Sequence, residues 1–272
     1  MTSNLDDGRY MNTVRRFPGC KSILAATLIA LLPGAAGADC RATSPKQTVA
    51  VIELYTSEGC DSCPPADRWL SAIDVPSDSA IALSLHVDYW DRLGWKDRFA
   101  SAGMTERQYE QKRRQGSEYV YTPQVLLQGR DFRQWGVRGE PAASVAAINA
   151  RPSRANIELD VDRQAGEARL NVQVGIPDAR DRARSQIVVA LVQDGLVSQV
   201  TAGENRGKRL AHDHVVRQWR AEHLSDTGGV TREELTFTLP AEGGRVSFVA
   251  IAENAQTGEV LQAVALPLCT NK

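Results

Sequence analysis

Two cysteines three residues apart, set between a strand and a helix, constrain this chain more than any other feature. Cys60-Asp61-Ser62-Cys63 follows the apolar run Val49 to Tyr55 and precedes Pro64-Pro65 and a helix-like stretch, Ala66 to Ile73. Strand, Cys-x-x-Cys and helix start, in that order, form the pattern of a redox site. A helix N-terminus supplies the physical reason, because its unpaired N–H groups and positive dipole end favour a thiolate placed there. Cys63, one turn in, is near enough to Cys60 to close a disulfide. Pro64 and Pro65 suit the first turn, where the N–H groups they lack would have no intrahelical partner.

The compartment follows from the N-terminus. Arg15, Arg16 and Lys21 form a basic region, and Ile23 to Leu32 is an apolar run too short to span a bilayer as a helix. Pro33-Gly34 breaks it, and Ala36-Gly37-Ala38 fits a small-x-small cleavage site. Residues 1–38 read as a secretory signal segment, which implies a periplasmic or secreted protein with no membrane anchor after signal removal. A disordered tail with an apolar patch accounts less well for this order of features.

Export gives the cysteine count meaning. Cys20 leaves with the signal, and Cys40, Cys60, Cys63 and Cys269 remain, an even number in an oxidising compartment. Four cysteines allow three connectivities. With Cys60–Cys63 as the local pair, Cys40–Cys269 follows by elimination, near two chain ends of a kind that often lie close together. Such a structural bridge contributes roughly 4 kcal/mol in the chain-entropy model; the alternative is that both thiols stay unpaired. The net charge of −1, with 42% hydrophobic and 24% charged residues, offers nothing for nucleic acid or an anionic membrane surface.

The first half alternates strands and helices. Val49 to Tyr55, Ile81 to Val87 and Gln124 to Gln128 read as strands, the last followed by a hairpin turn at Gly129-Arg130 with Asp131 to Trp135 pairing back. Ala66 to Ile73, Arg98 to Gly116 and Pro141 to Ala150 read as helices. After Arg151-Pro152-Ser153, short alternating runs recur between turn signals. Asp194-Gly195 is a tight-hairpin signal between Ile187 to Gln193 and Leu196 to Val200. Seven or eight antiparallel strands suggest a β-sandwich. The expected fold is an α/β N-terminal domain, residues 46–151, followed by an all-β antiparallel sandwich-like C-terminal domain, residues 152–272.

Strand, Cys-x-x-Cys, helix, strand, helix and then Thr122-Pro123 before a strand resemble the thioredoxin superfamily, in which a cis proline faces the dithiol, and this resemblance implies an α/β thioredoxin-like N-terminal domain. The resemblance implies a cis Pro123, with Thr122 offering backbone to a substrate. Three segments narrow it: Glu53 to Asp67, His86 to Asp97 and Tyr121-Thr122-Pro123-Gln124. They resemble a bacterial family of exported, thioredoxin-like proteins of unassigned function, and the likeness extends to Gly203-Glu204-Asn205. It implies Cys60 as an exposed nucleophile, Cys63 as the resolving thiol, and Glu53 as the buried carboxylate that moves protons to Cys63. Read from the residues alone, Glu53 is equally a strand-end charge reaching solvent. Glu58 and Asp61 place negative charge beside Cys60, which opposes the helix dipole and implies a moderate or reducing couple.

His86, Asp88, Tyr89 and Trp90 follow the second strand at its C-terminal end, where open α/β sheets bind ligands. They are candidates for substrate binding, with a core histidine and packed tryptophans as the plainer reading. His212 and His214 share one face of a possible strand and read as exposed histidines. Function therefore divides three ways. The leading reading is an exported thiol–disulfide oxidoreductase that needs no cofactor, with a thiol or disulfide substrate, protein or small molecule, and an unidentified electron donor. The second is a non-catalytic binding or structural protein in which Cys60–Cys63 is static. A metal site ranks last, because two cysteines make only half of a structural zinc site.

Overall fold

The computed structural model describes residues 40–73, 76–224 and 229–269, so the expected signal segment and Cys20 lie outside the described residues. Among the described residues strands dominate, and helices are confined to residues 64–182. The first half runs β1 (Arg41–Thr43), β2 (Ala50–Thr56), α1 (Pro64–Ser71), β3 (Ala80–His86), α2 (Ala102–Gln115), β4 (Gln124–Leu127), β5 (Arg130–Asp131) and α3 (Glu140–Asn149). The rest is β6 (Asn156–Gln164), β7 (Glu167–Gly175), a short α4 (Ala179–Arg182), β8 (Ser185–Asp194), β9 (Leu196–Gln199), β10 (Arg209–His212), β11 (Val215–His223), β12 (Val230–Thr238), β13 (Arg245–Asn254) and β14 (Val260–Pro267).

The near-unbroken apolar run of β2 predicts a strand covered on both faces, and all seven of its residues are buried. β2 pairs in parallel with β3, from Ala50 opposite Ala80 to Thr56 opposite His86, and antiparallel with β4. The chain turns from β4 into β5 through Gln128 and Gly129, both at positive φ, one residue earlier than the sequence suggests. Ala66 and Leu70 of α1 and Val145 and Ile148 of α3 pack on the Ala50, Ile52 and Leu54 face. Met104 of α2 packs with Val51, Leu83 and Leu85 on the opposite face.

The expected fold class does not describe the molecule. The chain is mostly β, and no N-terminal α/β thioredoxin-like domain stands apart from a separate sandwich. One mixed sheet of eight strands runs β14-β13-β8-β11-β3-β2-β4-β5, and a four-stranded antiparallel sheet runs β1-β6-β7-β12. The seam between the two halves of the sequence is β3–β11, a parallel contact at Val215 and Ser84 where Ser84 N–H donates to His214 O at 2.7 Å. The described residues all belong to one compact unit. A physical reason beyond that single contact opposes separation. β8 is apolar on both faces, so one sheet partner cannot cover it: Ile187, Val189 and Leu191 pack with Leu159, Leu170 and Phe237 of the four-stranded sheet, while Val188, Ala190 and Val192 pack with Val51 and Leu83. The run Ile187 to Val192 carries that signal in the sequence as six consecutive apolar residues, where a sandwich strand alternates.

The Asp194-Gly195 hairpin is also absent. β9 pairs with β10 in its own two-stranded sheet and not with β8. Cys40, beside β1, is disulfide-bonded to Cys269, beyond β14, as elimination suggests.

Candidate functional site

α1 begins with Pro64 and Pro65 in its first turn and with Cys63 at its N-cap. Cys63 and Cys60 are joined in a disulfide at that helix start, and the Thr122–Pro123 peptide is cis. Trp90 Nε1–H donates to Thr122 Oγ1 at 2.8 Å, so two of the proposed substrate-binding residues meet beside Pro123. Asp88 accepts from Thr105 Oγ1 at 2.6 Å, and Tyr89 OH donates to Gln108 at 3.2 Å; both tie the segment after β3 to α2.

Cys60 does not match its expected exposure. Both cysteines are 0% exposed. The loop from Thr201 to Lys208 crosses them, and Asn205 Nδ2 donates to Glu58 O and Cys60 O, each at 2.8 Å. Gly59 abuts Trp90, whose Cβ would lie 3.0 Å from any Cβ added there. This cover comes from a segment about 140 residues along the chain, so no local pattern near the cysteines announces it.

A cluster of ionisable side chains lies buried around this loop. His86 Nδ1–H donates to Asp97 Oδ2 at 2.7 Å, and the same oxygen accepts the Glu58 N–H at 2.9 Å. His212 Nε2–H donates to Glu58 Oε1 at 3.1 Å, and Trp95 Nε1–H to Glu58 Oε2 at 2.8 Å. The two imidazoles stack edge to face, 4.9 Å apart. Asp67 follows Cys63 by one helical turn, with its N–H on Cys63 O at 3.1 Å, so the two side chains share a helix face. Asp67 Oδ1 accepts from Thr56 Oγ1 at 2.7 Å. Three buried atoms of the cluster, Asp67 Oδ2, His86 Nε2 and His212 Nδ1, have no hydrogen-bond partner among the described residues.

Burial pushes the Asp67 carboxyl above its usual range, and the charges of His86 and His212 offset only part of that. Burial also works against a charged His86, but the adjacent Asp97 carboxylate outweighs it and raises the imidazole pKa. For Asp97, burial opposes ionisation, yet His86 and two backbone N–H groups hold its pKa down at about 2. Stability from Asp97 is therefore present above its unfolded value and lost as pH falls through about 2, and stability from His86 is complete below its unfolded value and lost as pH rises through its raised folded value. Unfolding midpoints measured against pH are expected to fall at both ends, and His86→Gln is expected to abolish the alkaline limb; an unchanged alkaline limb refutes the pairing.

Of the two readings of Glu53, its burial fits the carboxylate that the resemblance implies and not the charge reaching solvent, and its oxygens are taken up by Tyr55 OH at 2.7 Å and Arg107 at 2.7 Å. It serves a buried ion pair, while Asp67 takes the position one turn from Cys63. His212 is buried, whereas His214 sits partly exposed at φ 59 where β10 ends and β11 begins. The i, i+4 spacing of Cys63 and Asp67 was the available signal for Asp67; Asp97 and Asn205 lie in the segments that carry the family resemblance, but no local pattern assigned them a partner, and the Glu58 partner of His212 is 154 residues away.

The fold and site define a mixed-sheet protein that carries a buried disulfide at a helix N-terminus, backed by ionisable groups. Residues 51–252 match the family described as protein of unknown function (DUF1223), and the chain belongs to that family. The crystal structure of protein AGR_C_4864 from Agrobacterium tumefaciens is similar at a TM-score of 0.57 and 27% identity, covering 84% of this chain and 98% of that one. HBP35 of Porphyromonas gingivalis is similar in fold alone, at a TM-score of 0.60 and 13% identity over 84% of this chain and 80% of that one. No curated protein matches the sequence. No helix among the described residues is long and apolar enough to cross a membrane.

Proposed function

We propose that the chain is an exported thiol–disulfide oxidoreductase whose reacting pair is Cys60 and Cys63. One observation carries the reading: the disulfide is backed by Asp67, His86 and His212, each buried and each with an unpartnered polar atom. A static disulfide needs no such neighbours, and burying unpartnered polar atoms costs stability. Perturbed ionisable groups such as Asp67 and His86 concentrate where protons move.

In the reducing direction the Cys60 thiolate attacks a substrate disulfide. One sulfur–sulfur bond breaks, a mixed disulfide forms, and the expelled substrate thiolate takes a proton from solvent. The Cys63 thiol then passes its proton to the Asp67 carboxylate, attacks Cys60 Sγ and releases the second substrate sulfur, which takes that proton. Two electrons reach the substrate, and a dithiol donor restores the reduced enzyme. Glu58 is engaged by His212 and Trp95, which leaves Asp61 as the unneutralised acid beside Cys60. The couple is accordingly less oxidising than about −120 mV.

The second reading, a static disulfide in a binding or structural protein, is favoured by the complete burial of both sulfurs. Insulin reduction by the mature protein separates the two. Catalysis is expected, reduced to background in Cys60→Ser and lowered about 100-fold in Asp67→Asn, the usual weight of a positioned proton acceptor. Absence of catalysis at every pH, or full activity in Cys60→Ser, overturns the enzyme reading.

A further inference from the structure

We infer that residues 195–214 form a strap that covers the Cys60–Cys63 bond and swings away to admit substrate, a regulation that rests on the redox reading above. The ribbon leaves the eight-stranded sheet between two strands that neighbour each other, since β8 and β11 pair directly, with Gln193 opposite Val215. Its two roots are the points of positive φ at Gly195 and His214. Each root is tied to the other: Gly195 N–H donates to Asp213 Oδ1 at 2.9 Å, and His214 N–H to Asp194 Oδ1 at 2.7 Å. Two closely spaced roots, both outside ordinary strand geometry, make a hinge.

Beyond the hinge, β9 and β10 pair only with each other. A lone two-stranded ribbon has little stability of its own, and elements that open locally come from that end of the scale. Its root packs Leu196 against Phe99 and Val215. Arg98 donates to Val197 O at 3.0 Å and to Ser198 Oγ at 3.3 Å on β9, and the tip is held to the dithiol loop by hydrogen bonds. Asn205 spans two carbonyls of that loop, and its own Oδ1 accepts from Lys208 Nζ at 2.8 Å. Glu204 Oε2 accepts the Asp61 N–H at 3.0 Å. Gly203 lies against Trp95, where an added Cβ would come within 3.2 Å of the Trp95 Cβ. Lower on the ribbon, His212 bonds Glu58.

The consequence is chemical. Exchange requires a thiolate to reach a disulfide sulfur, and access sets its rate. With both cysteines 0% exposed, no outside thiolate meets either sulfur while the strap is down. Residues that hold the strap therefore govern turnover without touching the substrate, and Asn205 and Glu204 are positioning residues in this sense.

The experiment is reduction of the native Cys60–Cys63 bond by a phosphine, followed by free-thiol titration, together with hydrogen exchange of the same proteins. Reduction is expected to be at least tenfold faster in Asn205→Ala and in Glu204→Ala than in the unaltered chain. Glu204 is exposed, so its variant keeps the fold if the buried Asn205 variant does not. Amides of residues 196–212 are expected to exchange at least tenfold faster than those of β8. Equal reduction rates in Glu204→Ala and the unaltered chain, or strap amides that exchange in step with β8, overturn the strap. The insulin assay stays separate: faster phosphine reduction without any insulin turnover leaves the strap standing and removes the redox reading, and insulin turnover with unaltered phosphine rates does the reverse.

Discussion

Arg107→Met is expected to lower the stability of the protein by about 3–5 kcal/mol at neutral pH, the cost of stripping one partner from a buried ion pair. Arg107 of α2 reaches Glu53 of β2 at 2.7 Å and both carboxylate oxygens of Glu253 of β13 at 2.8 Å. Its guanidinium lies 4.5 Å from the ring centre of Trp219 on β11. The three charged side chains are at most 2% exposed. One residue thus joins a helix and a strand of the first half to two strands of the second. Burial alone would raise the Glu253 carboxyl, but Arg107 outweighs it and holds the pKa below the usual range. A carboxyl with a lowered folded pKa contributes stability above its unfolded value and loses it as pH falls. Without Arg107, Glu53 loses its cation while Glu253 keeps Arg114 at 3.1 Å, and protonation relieves the uncompensated buried charge. The deficit is therefore largest near neutrality and narrows in acid. Denaturant unfolding of both proteins at about pH 7 and about pH 4 tests this; a deficit under about 1 kcal/mol at neutral pH contradicts it.

Replacing Cys40 and Cys269 together by serine is expected to cost about 2–5 kcal/mol. That bond joins residues 229 apart in sequence, whereas Cys60–Cys63 joins residues 3 apart. Loop closure restricts the unfolded chain far more in the first case. It also anchors β1 at the edge of the four-stranded sheet to the end of β14 in the eight-stranded one. The two bonds are thereby separable by experiment. Thermal unfolding of Cys60→Ser/Cys63→Ser is expected within a few degrees of the unaltered protein, and unfolding of Cys40→Ser/Cys269→Ser about 5 °C or more below it. Equal losses in the two variants refute the division into a staple and a reacting pair.

Local patterns carried a good part of this. Ala50–Thr56, Ala80–His86 and the three main helices lie within a few residues of where periodicity and prolines place them. The Asp194-Gly195 signal correctly marks a sharp turn, but its hairpin fails because Asp194 and Asp213 bond each other's following backbone, and the chain leaves the sheet instead. Such a choice between pairing partners is a competition among distant segments, and a turn dipeptide carries information about neither competitor.

Sequence by itself determined the disulfide at a helix start, the second pair by elimination, and the family. These depend on residues close together in the chain or on counting. Only the tertiary structure decided that one sheet runs through both halves, that Glu53 serves Arg107 while Asp67 stands one turn from Cys63, and that a ribbon from the second half buries Cys60. The reason is physical: backbone edges and buried charges are satisfied by whatever the fold brings near. Here Glu53 meets Arg107 from 54 residues away and Glu58 meets His212 from 154 residues away.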